Sequence, residues 1–322
     1  MNEKPYYSLD SYLKETYGQK IYKAALNAGL SCPNRDGTLD TRGCIFCSRG
    51  GSGDFSVPVS SPEDFGAGFE AARQKLAAKY GGSRFIAYFQ AYTNTYGPVP
   101  YLEAVYRRAL SDADVAGISI ATRPDCLPQD ILRLLGELRE QYPDKFIWIE
   151  LGLQTIRRET ADLIRRGYGL DCFEKALSLL DALSIPVVVH LILGLPGESP
   201  QDTLDAVDYL NALPVWGVKL QLLHVLRGTD LEKMYREDPR RTCPLSDKEA
   251  YLDLLIRAIE RLRPDMVIHR VTGDAPKALL VAPSWSANKR GVLNSFHREM
   301  KRRQAFQGRL YQPPQWQGRR PQ

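Results

Sequence analysis

The chain has 322 residues, with 43 Lys and Arg residues against 38 Asp and Glu residues and a formal net charge of +5. Hydrophobic residues make up 43% of the chain and charged residues 25%, a composition that excludes an intrinsically disordered protein. The sequence has no uncharged apolar run of about 18 residues, and Met1–Asp10 lacks the layout of a signal peptide. We therefore expect a cytoplasmic protein with no membrane segment.

Six strands are expected between residues 21 and 225, with amphipathic helices between them. The first lies within Ile21–Leu30, and the others are Arg84–Gln90, Val115–Ala121, Lys145–Leu153, Pro186–Leu193 and Gly217–Val225. The later strands start roughly 30 to 40 residues apart, which is typical of parallel βαβ units. Because they are apolar nearly throughout, we expect a parallel sheet or barrel covered by helices. Helix starts are predicted at Ser61, Ser199 and Ser246, each followed three residues later by an acidic residue.

The end of the chain differs from the rest. We expect one domain over residues 1–262 and a C-terminal extension over residues 263–322, with a strand at Met266–Val271 and a helix near Gly291–Arg303. From Lys289 onwards nine basic residues stand against one acidic residue, so this segment carries a charge of +8 and residues 1–288 a charge of −3. Such a tail suits contacts with nucleic-acid phosphates, and a solvated terminus is the alternative interpretation.

Polar residues follow the carboxyl end of every predicted strand in the central part of the chain. They are Gln90–Thr95, Thr122–Asp125, Glu150 with Gln154, Gly194–Glu198 and His224–Thr229. In parallel α/β folds the loops at this edge of the sheet converge and carry the chemistry. The sequence therefore predicts a ligand pocket at the carboxyl ends of the strands.

Three of the six cysteines, Cys32, Cys44 and Cys47, lie in one loop after the first predicted strand. A Cys-x-x-Cys pair lets two thiolates reach one metal centre, and a third cysteine from the same loop leaves a coordination position open. Two alternatives remain. Structural zinc would need a fourth ligand, and no Cys or His nearby in the sequence supplies it. A redox Cys-x-x-Cys pair would not need Cys32.

Six phrases in order carry a resemblance to a known family: Leu30–Gly37, Gly43–Cys47, Ala121–Pro128, Glu150–Gln154, His190–Glu198 and Leu223–Thr229. The chain resembles the radical S-adenosylmethionine (radical SAM) superfamily. From Tyr6 to about Arg303 it resembles the YtqA/YhcC-like (MnmL-like) branch, which is related to the radical SAM domain of the elongator catalytic subunit. Eleven residues separate Cys32 from Cys44, whereas the superfamily's commonest spacing is three. The resemblance implies a partial (βα)6, TIM-like barrel.

The resemblance implies that the three cysteines hold a 4Fe-4S cluster whose open iron binds S-adenosylmethionine (SAM). The residues implied to bind SAM are Phe46, Gln90, Tyr92, Asn94, Arg123, Glu150, Gln154 and His190. Phe46 would lie near the adenine, Arg123 would bind the carboxylate, and Glu150 or Gln154 would hold the ribose hydroxyls. The superfamily's Gly-Gly-Glu motif for the SAM amino group is replaced here by Gln90–Thr95.

The resemblance also implies a function, namely reductive cleavage of SAM in the modification of tRNA wobble uridine from its carboxymethylaminomethyl to its aminomethyl form. The implied partners are tRNA and a one-electron donor such as flavodoxin or ferredoxin. Tyr311 and Trp316, interleaved with the basic tail, agree with an RNA partner. Two alternatives stay open: a radical SAM enzyme that acts on a protein or a small molecule, and a non-catalytic iron-sulfur binding protein.

Overall fold

The computed structural model of the chain describes residues 4–77 and 84–313. Its strands are β1 (Tyr22–Asn27), β2 (Val57–Pro58), β3 (Phe85–Phe89), β4 (Val115–Thr122), β5 (Phe146–Gln154), β6 (Val187–Leu193), β7 (Gly217–Leu222), β8 (Val225–Leu226), β9 (Val267–Arg270) and β10 (Leu280–Ala282). Its α-helices are α1 (Leu9–Tyr17), α2 (Phe65–Ala77), α3 (Val99–Leu110), α4 (Gln129–Gln141), α5 (Arg158–Leu163), α6 (Leu170–Ala182), α7 (Pro200–Asn211), α8 (Asp230–Glu237), α9 (Pro239–Thr242), α10 (Lys248–Arg261) and α11 (Lys289–Arg302). Two 3-10 turns lie at Pro124–Cys126 and Ser284–Ala287.

Within these described ranges the chain forms an eight-stranded sheet in the order β2-β1-β3-β4-β5-β6-β7-β9, in which every pairing is parallel. From β3 to β7 the strands follow one another in chain order, with helices in the crossovers. The two short strands β8 and β10 pair separately and antiparallel. The α/β fold predicted from the sequence is confirmed.

Side-chain contacts between distant strands show that the sheet curls into a barrel. The Nζ of Lys23 on β1 lies 2.6 Å from Oε1 of Glu150 on β5, and the Nζ of Lys219 on β7 lies 2.9 Å from the hydroxyl of Tyr88 on β3. In a flat sheet, strands three or four positions apart would be separated by about 14 to 19 Å. The described sheet has β2 and β9 as its edges, so the barrel is partial, as predicted.

The barrel is filled from its amino-terminal end by aromatic side chains and closed there by α1. The ring of Trp148 on β5 stacks at 4.1 Å on Phe146 and lies 4.6 Å from Trp216. Tyr12 of α1 contacts Trp216 edge to face at 5.0 Å, and Leu13 of α1 is buried in the same cluster. This apolar plug of described residues leaves the carboxyl-terminal end of the barrel open to a ligand.

The six predicted strands all occur, with ends shifted by a few residues. Ser199 forms the predicted capping box with Asp202 at the start of α7. The prediction for α10 was wrong by one residue, because the carboxylate of Asp247, and not the Ser246 hydroxyl, accepts the hydrogen bond from Ala250 N at 2.8 Å. Ser61 Oγ accepts from Asp64 N at 3.2 Å, but α2 begins only at Phe65.

The segment after residue 262 joins the sheet. β9 matches the strand predicted over Met266–Val271 and pairs with β7, while α11 matches the helix predicted near Gly291–Arg303. Gln307 ties this segment to the start of the chain, since its Oε1 accepts from Tyr7 N at 2.8 Å. The basic tail lies partly outside the described residues, which end at Pro313 and do not include Trp316, Arg319 and Arg320.

Candidate active site

The three clustered cysteines lie in the loop between β1 and β2. Arg35 holds the second half of this loop, since its Nη2 donates to the carbonyl oxygens of Cys47 at 3.0 Å and Ser48 at 2.6 Å. Asn34 ties the loop to the segment after α5, because its Nδ2 donates to Arg165 O at 2.6 Å. All three cysteine side chains line one cavity of about 260 Å³ at the carboxyl ends of the strands.

The loop packs on the end of β3 through a close glycine contact. A Cβ on Gly51 would lie 2.3 Å from Cδ1 of Tyr92, and its backbone has a φ of +58°. Only glycine therefore fits at this position. The Tyr92 hydroxyl donates to Arg49 O in the same loop. The glycine-rich stretch that follows the cysteines thus serves to seat the cysteine loop on the strand edge.

The cysteine thiols are unpaired and chemically suited to iron. Burial raises the pKa of Cys44 to about 12. Burial also raises the pKa of Cys47, although the positive charge of Arg35 acts to lower it. Iron binding replaces these protons, and the nearby cationic side chains Arg35 and Arg123 offset the thiolate charge. In the described ranges no three His, Cys, Asp or Glu side chains are grouped to hold a single metal ion. A 4Fe-4S cluster makes a different demand, because each thiolate binds a separate iron.

The structure brings most of the predicted SAM-binding residues to the cavity that the cysteines line: Phe46, Gln90, Tyr92, Arg123, Glu150, Gln154 and His190. They come from the cysteine loop and from the ends of β3, β4 and β5, except that Glu150 and His190 lie in the middle of β5 and β6. Gln154 has a φ of +61°, and its Oε1 lies 3.4 Å from the Tyr168 hydroxyl. The predicted pocket at the carboxyl ends of the strands is therefore present.

Asn94 lies behind the cavity wall and not on it. Its side chain is buried, and Nδ2 donates to Ala91 O at 3.1 Å and to Ala121 O at 2.9 Å. These bonds join the end of β3 to the end of β4. Oδ1 of Asn94 is buried without a hydrogen-bond partner among the described residues.

Arg123 reaches the cavity with its guanidinium already engaged. Its Nε and Nη2 donate to the two carboxylate oxygens of Asp125 at 2.9 and 2.7 Å. The guanidinium also lies 4.9 Å from the centre of the Tyr168 ring. A bidentate bond from Arg123 to a SAM carboxylate would require Asp125 to give up this pair.

Below the cysteines, one side chain from each of six neighbouring strands forms a polar layer across the barrel. Its members are Lys23 of β1, Tyr88 of β3, Ser119 of β4, Glu150 of β5, His190 of β6 and Lys219 of β7. Successive side chains of a strand point to opposite faces, so one inward residue per strand at the same depth makes a ring.

Glu150 is the centre of the polar layer. Its Oε1 accepts from Lys23 Nζ at 2.6 Å and Ser119 Oγ at 2.8 Å. Its Oε2 accepts from His190 Nε2 at 2.8 Å and from Lys219 Nζ. Burial alone would raise the pKa of Glu150, but the charges of the two lysines outweigh it and hold the pKa well below its usual value. Both oxygens are occupied, so the predicted bond to the ribose hydroxyls would need one of these donors to leave.

His190 is neutral at pH 7. Burial and the charge of Lys219 lower its pKa to about 4. Because the ionised Glu150 can only accept, the proton of His190 sits on Nε2 and leaves Nδ1 as an acceptor. His190 lines the cavity, so this ring offers a hydrogen-bond acceptor to a ligand.

The sequence analysis missed Lys23, Tyr88, Ser119 and Lys219, and also Arg270 and Asp274 on the cavity wall. A signal for the first four exists: each is a polar residue inside a mostly apolar strand. Read with a period of two, these strands would have shown polar side chains on the inward face. Arg270 is the last residue of β9, and Asp274 comes shortly after it. Their position on the cavity wall depends on the pairing of β9 with β7, which the sequence does not show.

The chain is similar to known proteins over most of its length. The family model described as the Radical SAM superfamily matches residues 41–210, and the one described as the Radical_SAM C-terminal domain matches residues 215–302. The protein YtqA of Bacillus subtilis (strain 168) is 40% identical, over 96% of this chain and 94% of YtqA. The tRNA uridine(34) acetyltransferase of Dehalococcoides mccartyi (strain CBDB1) is 30% identical, over 57% of this chain and 39% of that enzyme.

Among solved structures, the archaeal Elp3 of Methanocaldococcus infernus has a similar fold. The TM-score is 0.63 at 18% sequence identity, over 77% of this chain and 62% of that one. None of the helices in the described part of the chain has both the length and the apolar character needed to span a bilayer.

Proposed function

The chain belongs to the radical SAM superfamily, in a branch that includes YtqA and YhcC and is related to Elp3, and on this premise we propose that it modifies the wobble uridine of tRNA. It is a radical SAM enzyme whose cofactors are a 4Fe-4S cluster and SAM. The proposed reaction oxidises the carboxymethylaminomethyl group of uridine: the bond between its nitrogen and the carboxymethyl carbon is broken with water, the two carbons leave as glyoxylate and the aminomethyl group remains. The two electrons are taken up when SAM is consumed to methionine and 5′-deoxyadenosine. We place the enzyme in the cytoplasm, with flavodoxin or ferredoxin as the one-electron donor.

The observation that carries the proposal is a single cavity that joins the cysteine loop to a polar layer of the barrel. Cys32, Cys44 and Cys47 would hold the cluster. When bound, the cluster and SAM supply the hydrogen-abstracting radical chemistry of the superfamily. The barrel wall and the plug under it exclude water from this chemistry.

The residues on the cavity wall would orient SAM. Phe46, Gln90, Tyr92 and Gln154 face the cavity, and we assign them to contacts with SAM. Arg123, Glu150 and His190 also face the cavity, and we assign them to the shape and charge of the site because each already bonds to a protein partner. Asn94 acts from behind the wall by joining β3 to β4.

The similarity to an enzyme named for uridine 34 of tRNA supports an RNA substrate. So does the surface of α11, on which Arg290, Arg298 and Lys301 are exposed and form no ion pair with a described residue. At about 100° per residue these three side chains lie within about 80° of one another around the helix axis. Lys289, at the start of α11, bonds at 2.5 Å to Asp274 on the cavity wall. An RNA bound along this face would therefore reach the cavity mouth.

The reaction is tested with reconstituted protein under anaerobic conditions. Incubation with SAM, a reductant and tRNA that carries carboxymethylaminomethyluridine should yield aminomethyluridine and 5′-deoxyadenosine, detected by mass spectrometry. Cys47→Ala should yield neither. Formation of 5′-deoxyadenosine with unchanged tRNA would contradict the substrate and favour a protein or small-molecule substrate.

The RNA surface is tested by replacing Arg290, Arg298 and Lys301 with Gln. We expect weaker tRNA binding and a slope of log affinity against log salt that is smaller by about 2 to 3. Arg302→Gln is the matched control on the same helix, because Glu299 already neutralises Arg302 at 2.6 Å. Equal salt slopes for the triple variant and the wild type would exclude this face.

A further inference from the structure

One corner of the cavity carries two cations on adjacent strands. Lys219 of β7 and Arg270 of β9 are register partners, and both side chains line the cavity. Lys219 is almost fully buried, with 3% of its side chain exposed, whereas Arg270 is 31% exposed. The corner is thus a cationic wall that opens to the ligand space.

The charges around this corner do not balance. Glu150 is shared between Lys219 and Lys23, so one carboxylate faces two ammonium groups. Asp274 is shared in the same way between Lys289 at 2.5 Å and Arg270 at 3.8 Å. The two histidines near the corner, His224 and His269, add no charge. Burial lowers the pKa of His224 to about 4 and that of His269 well below its usual value, which leaves both rings neutral. Four basic side chains therefore stand against two carboxylates, and burial lowers the pKa of Lys23 and, more strongly, that of Lys219.

Arg270 has donors to spare. Its 3.8 Å approach to Asp274 is too long for a hydrogen bond, and its guanidinium donates to no described residue. Lys219 Nζ bonds to Glu150 and Tyr88, but burial, followed by the like charges of Lys23 and Arg270, lowers the pKa of this amine well below its usual value. An anion bound between Arg270 and the buried Lys219 would stabilise the charged form of Lys219.

We propose that Lys219 and Arg270 form a carboxylate-binding subsite that takes the carboxymethyl end of the modified uridine side chain. The inference rests on the proposed function for the identity of the ligand. A planar carboxylate matches the free fork of Arg270, which can bond it through two parallel N–H groups. The aminomethyl product lacks this group, so the subsite holds the substrate and releases the product.

Calorimetry tests the subsite by measuring the affinity of the reconstituted protein for two nucleosides, 5-carboxymethylaminomethyluridine and 5-aminomethyluridine. We expect the wild type to bind the carboxylate-bearing nucleoside at least about tenfold more tightly, since bonds to charged groups are strong. Arg270→Gln and Lys219→Met should each remove most of this preference. Lys289→Gln is the matched control, because it also pairs with Asp274 but does not line the cavity. It should keep the preference.

The outcomes separate the subsite from the reaction and from SAM. Equal binding of the two nucleosides by the wild type would overturn the subsite. A second outcome would also overturn the subsite. If Arg270→Gln weakens SAM binding and both variants keep the nucleoside preference, the corner binds the SAM carboxylate instead. A retained preference with no conversion of tRNA would contradict the proposed reaction and leave the carboxylate subsite standing. Lys219→Met also serves if Arg270→Gln fails to fold, since Glu150 keeps Lys23 as a partner.

Discussion

The polar layer and the cysteine loop face the same cavity but are built in opposite ways. In the layer, the fold itself satisfies the central carboxylate, since Glu150 accepts four hydrogen bonds from described residues of four other strands. In the loop the thiols have only weak contacts, such as Asn34 Nδ2 to Cys44 Sγ at 3.5 Å and Cys47 Sγ to Ser52 Oγ at 3.8 Å. The contrast teaches that the layer stabilises the barrel, whereas the loop is shaped to receive a ligand.

The largest expected effect comes from the loop. Replacing Cys32, Cys44 or Cys47 with Ala should reduce the iron of the reconstituted protein from about four per chain to nearly none, because a cluster that lacks one protein ligand is not retained. The thermal unfolding of the apoprotein should hardly change. The cluster content is measured by iron and sulfide analysis and by the absorption at about 400 nm. Cys172→Ala, outside the cavity lining, is the control and should retain its iron.

The next effect comes from the layer and acts on stability. Glu150→Gln leaves two lysines in the barrel without their shared carboxylate, and we expect the free energy of unfolding to fall by about 3–5 kcal/mol. Urea unfolding of the apoprotein measures it. Adding Lys219→Met should recover part of the loss, because one unpaired charge is removed with the carboxylate. A loss no larger than that of Glu299→Gln, a surface carboxylate paired with two arginines, would refute the central role of Glu150.

His190 adds a pH dependence to the layer. Its pKa in the folded protein is about 4 against an ordinary value of 6.5, so the unfolded chain takes up the proton first as the pH falls. Stability from this group is therefore complete above about pH 6.5 and is lost as the pH falls towards 4, by up to about 3 kcal/mol. His190→Gln should flatten the dependence of unfolding on pH in this window. An unchanged slope would mean that His190 is not buried in its neutral form.

The smallest expected effect tests whether the donors to the Glu150 carboxylate in the polar layer are redundant. Ser119→Ala removes one of the donors to Glu150 and leaves the two lysines and His190 in place. We expect a loss of about 1–2 kcal/mol, since the bond from a neutral hydroxyl to a charged carboxylate is removed while three other donors remain. Chemical unfolding of the apoprotein measures it. A loss as large as that of Glu150→Gln would show that the carboxylate depends on every donor.

Local pattern was enough to find the strands and the cysteine loop. The β-branched and aromatic segments predicted all six central strands to within three residues at either end, and the end of β7, at Leu222 and not at Val225, is among the largest differences. The grouping of Cys32, Cys44 and Cys47 in one loop predicted a metal centre, and the resemblance to the family implied a 4Fe-4S cluster there. Residues at strand ends were also placed well, because the carboxyl ends of parallel strands meet at one edge.

Local pattern did not show which side chains bond to one another. Arg123 was expected to be free for a ligand, yet Asp125, two residues away, occupies its guanidinium. Asn94 was expected in the pocket and lies behind its wall. Lys219 was not noticed, although it reaches a carboxylate 69 residues away in the chain.

The sequence by itself determined the positions of the central strands, the grouping of three cysteines in one loop and the family, because these follow from periodicity and from residues close together in the chain. Only the tertiary structure decided that Glu150 serves the barrel, that Lys219 and Arg270 stand side by side, and that α11 starts beside the cavity mouth. The physical reason is that curvature and register of the sheet set which inward side chains touch. Both arise from packing along the whole barrel and not from any single strand.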